Sequence, residues 1–159
     1  MPPKKPFFIQ LSDTHLFEDP AARLWDVEPD AMLDRTLDML CVTAPNPDFV
    51  LVTGDCSSDG SEHSYVRLEE KLRRLAAPLH YLPGNHDDTA LMARLFLARQ
   101  IEPHQKLMHS FEAHGWHFIL LDSAVPGEDW GLIGRSQLHW LQENLAAPIM
   151  PTIVAVHHN

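Results

Sequence analysis

The hydrophobic positions of this chain fall into short continuous runs separated by longer stretches of helical spacing. Phe7–Ser12, Phe49–Thr53 and Leu79–Leu82 are almost wholly apolar, as strands are when helices cover both faces of a parallel sheet. After Pro29, which suits a first helical turn, Met32, Leu33, Thr36, Leu37, Leu40 and Cys41 recur at helical spacing up to about Val42. Pro45 and Pro47 stop that helix. Ser61 is placed to cap a second helix with Tyr65, Leu68, Leu72 and Leu75 on one face, ended by Pro78. The pattern predicts a third helix over 90–99, with Leu91, Leu95 and Phe96 inward. It predicts two strands over 107–112 and 116–121, joined by a two-residue turn at His114-Gly115. A loop over 122–133, rich in Gly, Pro and acid, leads to a helix over 136–146 with Leu138, Leu141 and Leu145 on one side. A last strand covers 152–156; Trp116, Trp130 and Trp140 are expected in the core, with Trp130 on a loop that could instead border a substrate. Strands alternating with helices make one α/β unit over 1–159, a mostly parallel sheet flanked by helices.

Composition narrows the function. With 159 residues, 45% hydrophobic and 21% charged, the chain can build a sizeable core. A formal net charge of −10 repels polyanions, which argues against nucleic acid as a partner. No apolar run approaches the roughly 20 residues that span a bilayer, so no membrane partner is expected. The basic start up to Pro6 passes directly into a strand without a cleavage-site pattern, and only Cys41 and Cys56 occur. Both features point to a cytoplasmic protein. Eleven histidines lean towards metal.

The strand ends carry the candidate chemistry. In open α/β sheets, ligands gather outside the carboxyl ends of the strands. Four such ends here present Asp13-x-His15, Gly54-Asp55, Gly84-Asn85-His86-Asp87 and His157-His158. Period-two geometry would put Asp13 and His15 on one side. Any one of these stretches reads equally well as a turn or a cap. Four in order, each at a strand terminus, point to a two-metal centre that grips a phosphoryl group from both sides. The mixture of carboxylate, imidazole and amide suits Mn, Fe or Zn. His158 reads as an outer or solvated residue, and Cys56 as a small buried one.

These motifs resemble the calcineurin-type metallophosphoesterase superfamily. Ser12-Asp13-Thr14-His15-Leu16-Phe17, Thr53-Gly54-Asp55 with Asp59-Gly60-Ser61-Glu62, and Pro83-Gly84-Asn85-His86-Asp87 are similar to bacterial class III 3′,5′-cyclic-nucleotide phosphodiesterases. Leu120-Leu121-Asp122-Ser123 and Gln137-Leu138-His139-Trp140-Leu141 continue the likeness over nearly the whole chain. The resemblance implies an αββα sandwich and hydrolysis of a small phosphodiester by a hydroxide held between two divalent ions. It implies Asp13 and His15 on the first ion, Asp55 bridging, Asn85 and His157 on the second, and His86 beside the phosphate, oriented by Asp87 or another carboxylate. A glycerophosphodiester or nucleotide-linked lipid precursor is the alternative substrate, and a weakly active metal-binding domain the alternative function. The family also carries a Gly-His-x-His motif beyond the point matched by Asn159. The expectation is therefore a C-terminally truncated domain whose second sheet is incomplete. Its uncovered apolar face would favour a homo-oligomer.

Overall fold

Strands β1 (Ile9–Leu11), β2 (Val50–Thr53) and β3 (Leu79–Leu82) pair in parallel in the order β1-β2-β3, with Ile9 opposite Val50 and Val50 opposite Leu79. The computed structural model describes residues 5–102, 104–146 and 150–158, so Asn159 lies outside the described residues. Central β2 is buried at all four positions. Its alternation decides the layering. Val50 and Val52 face a core shared with the helices, whereas Leu51 and the preceding Phe49 face a second sheet.

The helical core is built by α1 (Pro29–Thr43), α2 (Glu62–Leu72) and α3 (Thr89–Leu97), through Leu33, Leu37, Tyr65, Leu68, Leu72 and Met92. Full burial of such side chains stabilises the fold by about 1.5–3 kcal/mol each. Pro29 opens α1, and the Ser61 hydroxyl accepts from the N–H of Ser64 to cap α2. The third helix starts one residue earlier than the pattern suggests, because Asp88 accepts from the N–H of Leu91 as its cap. It ends at Leu97, where Ala98 turns into left-handed backbone.

The second sheet has the order β4-β5-β6, from β4 (His109–Ala113), β5 (Trp116–Leu120) and β6 (Thr152–Ala155). β4 and β5 are antiparallel through His114-Gly115, both at positive φ (50° and 78°) as a tight primed hairpin requires. β5 and β6 are parallel. Phe111, Phe118, Leu120, Ile153 and Ala155 meet Phe49, Leu51 and Leu82 across the seam between the sheets. Rings of Phe8, Phe49, Phe111 and Phe118 pack there at centroid distances of 4.8 to 5.6 Å. The last helix, α4 (Arg135–Leu145), bonds through Asn144 to Ser110, whose side chain points away from that seam. The layers are thus helices, sheet, sheet, helix, the α/β sandwich the motifs imply.

Two expectations are corrected. Leu138 and Leu145 of α4 are exposed, and the buried residue of that helix is Gln137. Its amide donates to the Asp122 carbonyl and accepts from the Asp122 N–H. Trp116 and Trp130 are exposed, the first beside the hairpin turn and the second in a loop where its indole N–H donates to Glu128, and Trp140 is only partly covered.

Candidate metal centre

The loop after β1 lies along the loop after β2 and is bonded to it. The N–H groups of Asp13, His15 and Leu16 donate to the carbonyls of Gly54, Asp55 and Cys56 at 2.9 to 3.1 Å. Asp13, His15 and Asp55 all adopt left-handed backbone, at φ 58°, 47° and 50°. Non-glycine residues rarely do so, and the strain is held by the surrounding bonds. Asp13 and His15 converge as expected, but not through strand periodicity. They lie beyond β1, and it is the left-handed turn that swings His15 Nε2 to 3.9 Å from Asp13 Oδ1.

Asp55 is the centre of the group. Its Oδ2 stands 3.5 Å from His15 Nε2 and 3.5 Å from His157 Nε2, one imidazole on each side, with 6% of its side chain exposed. Its Oδ1 accepts from the backbone N–H of His86 at 3.1 Å. Two glycines make room for this. A Cβ on Gly84 would lie 2.1 Å from Asp55 Oδ1, and one on Gly54, at φ 91°, would lie 2.5 Å from His157 Nδ1. Burial pushes the Asp55 carboxyl up, but His157, the His86 amide and the charge of His15 together hold it below its ordinary value. The partner effect on His157 is a rise to about 9, caused chiefly by its pairing with Asp55.

Donor atoms of His15, Asp55 and His86, and of Asp13, Asp55 and His157, lie within 4.8 Å of one another in each group. Asp55 is common to both groups, and its carboxylate with Asp13 and the imidazoles of His15 and His157 fits divalent ions. Separations of 3.5 Å are long for a hydrogen bond but match two donors on one ion at bond lengths of about 2.0–2.2 Å. A cluster that raises the affinity of His157 for a proton calls for positive charge, which a cation supplies on displacing that proton. The imidazoles are oriented from behind. His157 Nδ1 lies 2.8 Å from the Thr53 carbonyl and donates to it, leaving Nε2 for the centre, while Ser58 Oγ lies 3.2 Å from His15 Nδ1. Thr53 and Ser58 carry no sequence signal of this role.

Around the centre, the other expected residues divide. The ring of His86 is 5.1 Å from that of His15, edge to face, and the residue is exposed. Asn85 Oδ1 is 3.2 Å from His158 Nε2, so His158 is an outer residue in contact with a site residue. Asp87 does not orient His86. Its carboxylate accepts from the N–H groups of Gly84 (2.9 Å), Ser57 (3.0 Å) and Cys56 (3.1 Å) and from the Tyr65 hydroxyl (3.1 Å). Four donors from three segments leave it no geometry for the imidazole beside it. Burial pushes its carboxyl above the ordinary range although all four donors pull the other way. Beside Asn85 and His86 opens a cleft of about 700 Å³, whose walls include Lys106, Asp122 and Gln137.

Comparison with known proteins places the chain among phosphoesterases. The 3′,5′-cyclic adenosine monophosphate phosphodiesterase CpdA of Pseudomonas aeruginosa is 34% identical over 152 residues, 95% of this chain and 54% of its own length. A 3′,5′-cyclic-nucleotide phosphodiesterase of Nostoc is 32% identical, over 94% of this chain and 55% of its own. A cAMP/cGMP dual specificity phosphodiesterase of Mycobacterium tuberculosis is 36% identical, over 94% and 48%. The chain spans about half the length of the curated relatives it matches. The sequence profile described as Calcineurin-like phosphoesterase matches residues 8–159, the stretch that builds both sheets and carries every donor of the centre, and the chain belongs to that family.

Proposed function

We propose that this site hydrolyses phosphodiesters with the help of two divalent ions (Mn, Fe or Zn), and that its substrate is a 3′,5′-cyclic nucleotide opened to the 5′-monophosphate. The observation that carries the reading is the Asp55 carboxylate set between two imidazoles, with Oδ2 3.5 Å from each. Asp13, His15 and Asp55 would hold one ion, and Asp55, Asn85 and His157 the other. Bound there, the ions would lower the pKa of a water and neutralise charge on the phosphoryl oxygens. The chain's own residues do the rest. Thr53 and Ser58 fix the two imidazoles before substrate arrives. The exposed ring of His86 protonates the departing ribose oxygen. The cleft beside Asn85 and His86 is large enough to receive a nucleoside.

No helix among the described residues is long and apolar enough to cross a membrane. A small diester as substrate and two free cysteines, Cys41 exposed and Cys56 buried, fit work in the cytoplasm.

The test compares turnover of cyclic AMP, a glycerophosphodiester and bis-p-nitrophenyl phosphate with Mn²⁺ present. Cyclic AMP is expected to be preferred by kcat/KM over the glycerophosphodiester, and Asp55→Ala to abolish both activity and retained metal. Equal rates on the two natural esters would remove the cyclic-nucleotide assignment, and an active Asp55→Ala enzyme would remove the metal assignment.

A further inference from the structure

Asn85 is steadied by a residue of no assigned role. We propose that His158 is a positioning residue, locked into one tautomer by Ser123 so that it holds the Asn85 amide with its oxygen turned to the centre. This rests on the reading of Asn85 as a metal ligand.

An asparagine amide has two ends of nearly equal shape and opposite hydrogen bonding, and its terminal torsion is soft. Only the oxygen can serve a cation, so something must decide which end faces it. Ser123 Oγ accepts from the backbone N–H of His158 at 3.3 Å and stands 2.8 Å from His158 Nδ1. Among the described residues the buried Ser123 hydroxyl reaches no other acceptor, so its hydrogen is directed to Nδ1 and the ring hydrogen falls on Nε2. Nε2–H then donates to Asn85 Oδ1 at 3.2 Å. A carbonyl oxygen has two lone pairs, so one remains for the ion. The opposite tautomer would present a bare Nε2 and would favour the amide nitrogen, turning the oxygen away.

The slot that holds the ring is built. Ser123 is 2% exposed, and the Leu132 N–H donates to its carbonyl at 2.8 Å. Gly131, bridged to Ala124, lies so close that a Cβ there would meet His158 Cβ at 2.5 Å and both Cγ and Nδ1 at 2.6 Å. The loop between β5 and α4 thereby reaches Asn85, beyond the end of β3, through this imidazole.

The test uses Mn²⁺ binding followed by electron paramagnetic resonance, and histidine tautomers read from long-range proton–nitrogen NMR. His158→Leu is expected to weaken one of the two Mn²⁺ sites about tenfold and leave the other within twofold. His158→Gln, which keeps a donor at similar reach, restores most of that loss. Ser123→Ala, a milder change, turns the Nε2–H tautomer of His158 into a mixture and weakens the same site about threefold. The proposal is overturned if His158→Leu leaves both affinities unchanged, if Gln does no better than Leu, or if the native ring carries its hydrogen on Nδ1. Loss of folding in His158→Leu leaves Ser123→Ala to decide on the same two readouts. Failure of the underlying site has a separate signature, since Asp55→Ala would then bind Mn²⁺ as the native chain does.

Discussion

His86 is the exposed member of the centre, and its backbone and side chain serve different ends. The N–H bonds Asp55 Oδ1 and so helps set the shared carboxylate, while the ring stands free to meet a departing oxygen. Removing the ring should therefore spare metal binding and cost proton transfer. His86→Ala is expected to lower kcat on cyclic AMP about 100-fold, and less than about tenfold on bis-p-nitrophenyl phosphate, whose phenolate leaves without a proton. Metal content should be unchanged. Equal losses on the two substrates would show that His86 acts on the phosphoryl group and not on the leaving oxygen.

Among the elements, the connections matter more than the strands. Asp87 ties the loop after β2, through Cys56 and Ser57, to the loop after β3, through Gly84, and both to α2 through Tyr65. Tyr65 is fully buried and its hydroxyl also accepts from the N–H of Asp88, so it joins the same knot to the cap of α3. Asp87→Asn would turn one acceptor oxygen into a donor facing N–H groups. A buried donor left unpaired costs about 1–3 kcal/mol, and more where the lost partner was charged. The expected result is a fall of about 2–4 kcal/mol in stability by urea unfolding, accompanied by weaker Mn²⁺ binding, since Asp55 and Asn85 ride on the two loops. Tyr65→Phe, which removes one donor of four, should cost about 1 kcal/mol. If Asp87→Asn unfolds at the native urea midpoint, the knot contributes nothing.

At the scale of the whole molecule, the seam between the sheets carries a pH dependence. His109 of β4 has no hydrogen-bond partner for either ring nitrogen among the described residues, and it stacks on His80 of β3 at 6.2 Å. His80 in turn lies flat on Phe111 at 3.5 Å. Burial, with smaller contributions from the charges of His80 and Arg99, lowers His109 to about 4, and burial lowers His80. In the unfolded chain both would titrate near 6.5. Above that pH they are neutral in both states and stability is unaffected. Below it the unfolded chain takes up protons that the fold refuses, so stability falls as pH drops from 6.5 towards 4. Thermal unfolding should show this decline, and His109→Leu should flatten it. An unchanged slope in His109→Leu would place the acid sensitivity elsewhere.

The sequence by itself determined the elements and the family, and it marked the candidate donors at the strand ends. Continuous apolar runs, prolines at helix ends, Ser61 as a cap and His114-Gly115 as a turn act through neighbours in the chain, so their signals are local and readable. The candidate donors are readable for the same reason, since Asp13, His15, Asp55, Asn85, His86 and His157 each follow a strand in a short motif. Tertiary structure alone decided the partners. Asp87 sits beside His86 in sequence, yet its four donors come from other segments. Ser123 and His158 are 35 residues apart, and His158 and Asn85 are 73 apart. Gln137 lies among the leucines of α4 but is its buried residue because Asp122 needs both ends of its amide. A hydrogen bond between distant segments leaves no period and no motif behind. It exists only once the two sheets have closed and brought the loops at their ends together.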